Sequence, residues 1–377
     1  MAFRMKKVLS KVFYYLPIKF LLRNYILFES GPDYADNTYY VYKELLNQGY
    51  NKKYKFIWLV NNKDNFKDIN TDNVFFVNID SNEAKKYRIL AKFIIDSNKY
   101  VDKYNRYQYR FHLGHGMPIK IVSDYTSCPG KVDNYLVTAP YFISFFAECT
   151  KMSQDKFLPL GFSRTDQFFM EKVSFSEIDG YNKVILWMPT YRKHVQGIGY
   201  SSSLIYGVPS IHNKKELLEL NKLLKRNNSL LIIKLHPAED TSFLGKIDLS
   251  NIMFTKNELF EDNHKNIYQL AQLTDALITD YSSIYFDYLL MDKPIGMAIE
   301  DISDFGKNFP LYFNDFENDL PAEYIYNYDD LIKFIDNVCS DKDIKRKERN
   351  KKRSTYVKYD DGNSSKRIVD ILKEHSL

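Results

Sequence analysis

Glycine is scarce in this chain, 14 residues of 377, against an average usage of about 7%. Neither GxGxxG nor GxxxxGK[ST] occurs, which excludes a glycine-rich loop as the means of holding phosphate. Cysteine is scarcer still. Cys128, Cys149 and Cys339 are too few and too scattered for a disulfide framework or a CxxC metal site, so a reducing, cytoplasmic setting is the simpler reading. HExxH, GxSxG and kinase-like signatures are missing as well. His112 and His115 are three apart, but no Cys, Asp or Glu nearby in sequence completes a cage, so no metal and no other cofactor is expected.

An excess of one charge is also missing. Lys and Arg number 53 and Asp and Glu 48, leaving +5, too balanced to imply a nucleic-acid partner. Hydrophobic residues at 45% and charged residues at 27% exclude general disorder, and the length suits two or three domains. Nor is there a run of about 20 uninterrupted apolar residues that could span a bilayer. Residues 1–28 come nearest, but Lys11, Pro17, Lys19 and Arg23 interrupt them, and no small-residue cleavage site follows. This stretch holds six basic residues and no acid before Glu29. Residues 1–23 therefore read either as a basic amphipathic segment on an anionic membrane surface or as a first helix packed on the core.

What is abundant is aromatic: 31 Tyr, 27 Phe and 2 Trp, 16% of the chain. Short β-rich apolar runs alternate with helical patterns, which implies parallel sheets in two α/β halves. Strands are expected over residues 25–28, 55–60, 92–95, 109–113 and 135–137, then over 183–187, 230–235, 252–254, 276–279 and 294–298. Helical spacing covers residues 38–47, 214–225 and 267–273, and 282–290 opens straight after a strand. The break falls in the polar stretch 170–182, giving an N-terminal domain over 24–175 and a C-terminal one over 176–377. The Lys- and Arg-dense run 341–353 reads as a solvated helix face.

Polar clusters follow the strands, where open parallel sheets bind ligands. His115 sits between Gly114 and Gly116, so a ligand could reach its imidazole; with a near-neutral pKa it could take a proton from a hydroxyl, or it is a turn residue bonded to backbone. After the strand at 183–187 come Thr190 and Arg192, the latter suited to a phosphate fork or to a surface ion pair. His236 could donate to a phosphoryl oxygen or be a core histidine before Pro237. Asp280 could order its loop, hold a ligand hydroxyl or form an Asx turn. Ser282 and Ser283 open a helix, where they could receive an anion or simply cap it.

The series HGMPIK at 115–120, GFSRTD at 161–166, MPTYR at 188–192, KLHP at 234–237 and TDYSSIYFD at 279–287 resembles the CDP-glycerol glycerophosphotransferases, the teichoic-acid and capsule primases and polymerases. FESGPDYADN at 28–37 and DDGNSSKR at 360–367 extend the resemblance from about residue 25 to 370. It implies a glycosyltransferase-B-like architecture, two Rossmann-like domains facing across a cleft, with the nucleotide donor in the C-terminal one. It implies His115 as general base and Thr190, Arg192, His236, Asp280, Ser282 and Ser283 as donor or phosphate residues, with Gly116, Lys120, Arg164 and Asp166 on the acceptor side. The partners implied are CDP-glycerol, a lipid-linked (polyprenyl-diphosphate) glycan acceptor and an anionic membrane surface, on the cytoplasmic face of the bacterial membrane. CDP-ribitol transfer, and a nucleotide-sugar transferase or epimerase on the same fold, stand as alternatives. The length leans towards a primase or short-chain transferase. Two positions depart from the family: Ser163 where proline is usual, and Met117 where threonine is common.

Overall fold

A computed structural model describes residues 19–98, 101–121, 132–192, 204–239, 241–242, 247–256 and 265–377. The chain divides into unit 1, Met1–Met117, Ser123–Phe169 and Lys358–Leu377, and unit 2, Pro118–Val122 and Met170–Val357.

Unit 1 is built on seven strands: β1 (Arg23–Glu29), β2 (Lys55–Val60), β3 (Val74–Asn78), β4 (Ala91–Asp96), β5 (Tyr109–His112), β6 (Asn134–Val137) and β7 (Phe157–Pro159). All pair in parallel, in the order β3-β2-β1-β4-β5-β6-β7. The helices α1 (Asp36–Asn47), α2 (Asn82–Leu90) and α3 (Ile143–Thr150) lie in its crossovers. With both faces covered, the central strands are buried almost end to end, and this is why they read as continuous apolar runs. Much of the aromatic excess is core: Phe28 stacks on Trp58 at 5.1 Å, and Tyr42 and Tyr34 meet Trp58 edge-on at 5.5 and 5.0 Å.

Unit 2 repeats the plan with β8 (Lys183–Trp187), β9 (Ser229–Lys234), β10 (Ile252–Thr255), β11 (Ala276–Thr279), β12 (Ile295–Ala298) and β13 (Glu323–Ile325). The order is β10-β9-β8-β11-β12-β13, again all parallel. Helix α4 (Lys214–Arg226) starts where the Asn213 side chain accepts the Glu216 N–H, and it buries Leu217, Leu220, Leu223 and Leu224 on one stripe. Helices α5 (Ile267–Leu273) and α6 (Ile284–Tyr288) flank β11. In both units the strand order is the Rossmann one, reversing beside the first strand, so β1/β4 and β8/β11 are the switch points at which such sheets bind ligands.

The expected strands are present. The sheets also contain β3, β7 and β13, which the sequence pattern did not single out, and all three are edge strands. The expected helix over 282–290 is shorter, α6 followed by a 3-10 turn at Leu289–Met291. Of the segment 1–23 only the end is described. Lys19–Leu21 forms a 3-10 turn and Phe20 is 72% exposed; the rest of that expectation, and Cys128, lie outside the described residues.

The expected domain limits need correction at two places besides the boundary itself, and one is Pro118–Val122, which groups with unit 2. The last twenty residues pack with unit 1, not with the C-terminal half. The helix Ser364–Glu374 has no side-chain cap from its own N-cap residue, Asn363. Asp166 supplies it instead, accepting the Ser364 and Ser365 N–H groups at 2.9 and 2.7 Å, while Ile368, Val369 and Leu372 are buried. Gly362, at φ +66°, leaves no room for a Cβ, which would come within 2.6 Å of Phe169. The motifs GFSRTD and DDGNSSKR are therefore two halves of one joint. Asp166→Ala should cost about 1–2 kcal/mol, read as a lower thermal midpoint with faster amide exchange across Ser364–Glu374; an unchanged midpoint would refute the capping role.

Candidate functional site

In unit 1 the chain leaves β5 through Leu113, whose N–H donates to the Asp96 carbonyl at 2.7 Å, and turns at Gly114 with φ +60°. His115 follows with its side chain exposed, and Gly116 and Met117 are buried. The backbone here is clamped. Arg164, 4% exposed, donates from Nη1 to the His115 carbonyl at 2.7 Å and to Asp36 Oδ1 at 2.7 Å. Asn37 donates to the Gly114 carbonyl at 2.9 Å, and its own Oδ1 accepts the Arg164 N–H at 3.2 Å. Ser163 Oγ donates to the Asn37 carbonyl at 2.7 Å, so the position that departs from the family pattern has its own hydrogen bond in this clamp. Two separate motifs thus fix the loop of a third while its imidazole stays open to solvent.

Arg164 is accordingly a positioning residue, buried and paired rather than offered to an acceptor. The acceptor-side expectation for Asp166 gives way to helix capping; burial pushes its carboxyl up, against the hydrogen bonds from Ser365 and Ser364.

Beneath the loop lies a buried ionic group that sequence reasoning missed. Asp96 Oδ2 takes Arg110 Nε and Nη2 at 3.0 and 2.7 Å and the Val101 N–H at 2.7 Å, and Oδ1 meets His112 Nδ1 at 2.8 Å. Burial alone would raise the Asp96 carboxyl, but the Arg110 charge and the hydrogen bonds from His112 and the Val101 N–H hold it below its ordinary value. Burial lowers His112 and wins over the opposing pull of Asp96, so the imidazole is neutral near pH 7. One signal was available: Asp96 and Arg110 are charges inside otherwise apolar strands, and charges so placed need partners.

In unit 2 the residues after β8 and β11 meet at the switch point. Asp280, 0% exposed, accepts the Thr190 N–H at 3.0 and 2.9 Å, the Thr190 hydroxyl at 2.6 Å and the Tyr281 N–H at 2.6 Å, and it pairs with Arg192. Of the roles open to it, ordering the loop is the one its bonds describe. Arg192 also reaches Asp301 from Nε at 3.1 Å, and Tyr281 donates to Asp301 at 2.9 Å while stacking on Phe305 at 3.7 Å. Burial works against the Arg192 charge, but Asp280 and Asp301 together hold the guanidinium above its ordinary pKa. Asp301, Tyr281 and Phe305 were not foreseen, although Asp301 lies just beyond the end of β12.

Lys120 needs correction, because it belongs to unit 2 and not to the acceptor side of unit 1. It bridges to Leu311, and its ammonium lies 5.9 and 5.6 Å from the Phe305 and Phe309 ring centroids. Burial pushes that ammonium down, with Asp280 opposing and Arg192 adding to the shift. His236 is exposed and stacks on Tyr191 at 4.6 Å, and its Nδ1 accepts the Ala238 N–H at 3.2 Å, which assigns the proton of the neutral ring to Nε2. Ser282 and Ser283 are half-buried; neither hydroxyl bonds to any described residue, and Ser283 does not cap α6. Unit 2 therefore gathers Lys120, Thr190, Arg192 and Asp280 into one cluster, with His236 stacked on the residue next to Arg192 and the two serines following Asp280. Among the described residues no three His, Cys, Asp or Glu side chains are grouped to hold a metal ion, and no helix is long and apolar enough to cross a membrane.

A family model described as CDP-glycerol:poly(glycerophosphate) glycerophosphotransferase matches residues 11–374. The chain is 28% identical over 269 residues to the teichoic acid ribitol-phosphate primase of Bacillus spizizenii, a match covering 66% of this chain and 62% of that protein. It is 25% identical over 395 residues to the teichoic acid poly(glycerol phosphate) polymerase of the same species, covering 92% and 91%. The fold is that of the wall teichoic acid polymerase TagF, with TM-score 0.72 at 20% identity, covering 99% of this chain and 94% of that one. Against the primase, and likewise against the Staphylococcus aureus polymerase TarL, the matched stretch spans 62% of the relative's length.

The buried His112 makes unit 1 sensitive to mild acid. Its folded pKa lies below the ordinary 6.5, so from pH 6.5 downward the unfolded chain takes up a proton that the folded chain refuses. Stability is therefore lost as pH falls, by up to about 1.4 kcal/mol per pH unit. Urea midpoints of wild type and His112→Asn, compared at pH 7.5 and 5.5, should show the wild type losing more; parallel losses would refute the assignment.

Proposed function

The chain belongs to the CDP-glycerol:poly(glycerophosphate) glycerophosphotransferase family, and from that premise we propose that it transfers glycerol phosphate from CDP-glycerol to a hydroxyl of a lipid-linked glycan or poly(glycerol phosphate) acceptor, releasing CMP. The observation that carries this reading is His115, an exposed imidazole on a clamped loop at the carboxyl edge of a parallel sheet. Its site at work is the peripheral, cytoplasmic face of the bacterial membrane, where the acceptor lipid is anchored, and the architecture is glycosyltransferase-B-like.

The acceptor oxygen attacks the β-phosphorus, a new P–O bond forms, and the bond from that phosphorus to the bridging oxygen breaks, so that CMP leaves with the bridging oxygen. The hydroxyl proton passes to the His115 imidazole. Clamping the backbone fixes where that base sits, which is the part of general-base catalysis a fold can supply. The donor's phosphates are the charge for which Arg192, the Nε2 proton of His236, the hydroxyls of Ser282 and Ser283, which bond to no described residue, and Lys120 are suited. Thr190 and Asp280 hold Arg192 in place rather than touch the donor. The step needs no metal.

CDP-ribitol is the second reading, favoured by the ribitol-phosphate primase among the relatives. Purified chain with a polyprenyl-diphosphate-linked glycan and a panel of CDP-glycerol, CDP-ribitol and UDP-N-acetylglucosamine separates the readings. CMP should appear with CDP-glycerol, at a rate unchanged by EDTA. Release from CDP-ribitol alone would move the assignment to the second reading, and turnover of only the UDP-sugar would overturn both.

A further inference from the structure

The motifs that form the candidate site follow the carboxyl ends of strands. The opposite edge of the unit 1 sheet, where its strands begin, holds a cavity of about 450 Å³. Strands β1 and β2 enter the sheet there side by side, with Tyr25 in register with Lys55. The cavity is lined by Arg23, Lys52, Lys53 and Lys55 and by the amides of Asn24 and Asn73, and by no acidic residue. Among the described residues none of these four cations has an ion-pair partner; the Arg23 guanidinium donates to the Phe20 carbonyl at 3.2 Å, and the Lys53 ammonium lies 5.2 Å from the Tyr54 ring centroid.

A fifth cation adjoins them. Lys92 lies 5.9 Å from the same Tyr54 ring and donates to the Ser376 carbonyl at 2.6 Å. Burial pushes its ammonium down, and so do the charges of Lys53 and Lys19, with no carboxylate offsetting them. Like charges brought together without a counter-charge repel, and a bound anion would relieve that repulsion. Lysine ammoniums are point charges of the kind that hold phosphate, and the Arg23 guanidinium adds a planar fork that matches phosphate oxygens. The volume is within the range of small-ligand sites.

We propose that this cavity binds a phosphate group, either of a soluble phosphate ester or of an anionic phospholipid headgroup. It uses no residue of the candidate site and stands independently of the transferase reading.

Lysine acetylation followed by mass spectrometry on the full chain tests it site by site. Rates at Lys52, Lys53 and Lys55 are compared in inorganic phosphate against chloride at equal ionic strength, and on phosphatidylglycerol against phosphatidylcholine vesicles. Lys347 and Lys351, on the exposed basic helix Arg346–Tyr356, are the internal control. At least three-fold protection of the cavity lysines, with the control unprotected, supports the site. Protection by free phosphate points to the soluble ester, and protection by phosphatidylglycerol alone to the headgroup. Arg23→Gln should at least halve the protection. Equal rates in all conditions, equal protection of the control lysines, or full protection in Arg23→Gln would each overturn the proposal.

Discussion

The Arg164 guanidinium is the constraint on which unit 1 turns. It is buried, it must stay charged, and it takes its partners from Asp36 and from the carbonyl of His115. Breaking one member of such a buried set leaves an uncompensated charge, so the three residues specify one another's positions. The consequence is local. Arg164 holds the His115 carbonyl and Asn37 the Gly114 carbonyl before it, while the His115 side chain is left to solvent. The loop after β5 is thus held rigid without a glycine-rich sequence.

Unit 2 reaches the same end with the charges reversed. There the buried carboxylate Asp280 is the hub, and the Thr190 backbone, the Thr190 hydroxyl and Arg192 are arranged around it. The two units share a strand order and place polar residues at the same kind of position, beyond the carboxyl ends of central strands. They differ in what that position holds: an exposed histidine in one, and in the other a buried Arg192 with half-buried Lys120, Ser282 and Ser283. Arg192, 4% exposed and tied to Asp280 and Asp301, keeps its charge but has little freedom to move.

The central strands of both sheets were legible because strands covered on both faces are apolar end to end. The edge strands β3, β7 and β13 were not, since half-exposed strands of three to five residues carry no such run. The loop clusters at His115, Arg192 and Asp280 stood out as polar residues directly after apolar strands. Their division of labour did not stand out. Whether Arg164 meets a substrate or a backbone carbonyl, and whether Asp166 faces a ligand or caps a helix almost two hundred residues later, depends on contacts distant in sequence. The Asp96, Arg110 and His112 group was hidden for the same reason, because only the pairing of β4 with β5 brings Asp96 opposite His112. The aromatic excess divides less mysteriously than its size implied, since much of it packs the unit 1 core around Trp58.

The central claim is that His115 is the group that takes the proton. The most direct measurement is CMP release from CDP-glycerol by His115→Ala beside the wild type, with the unfolding midpoint of each recorded. The account predicts turnover reduced by about 10²-fold or more at an unchanged midpoint, because the clamp holds the backbone and not the imidazole. Turnover within a few-fold of wild type would contradict it.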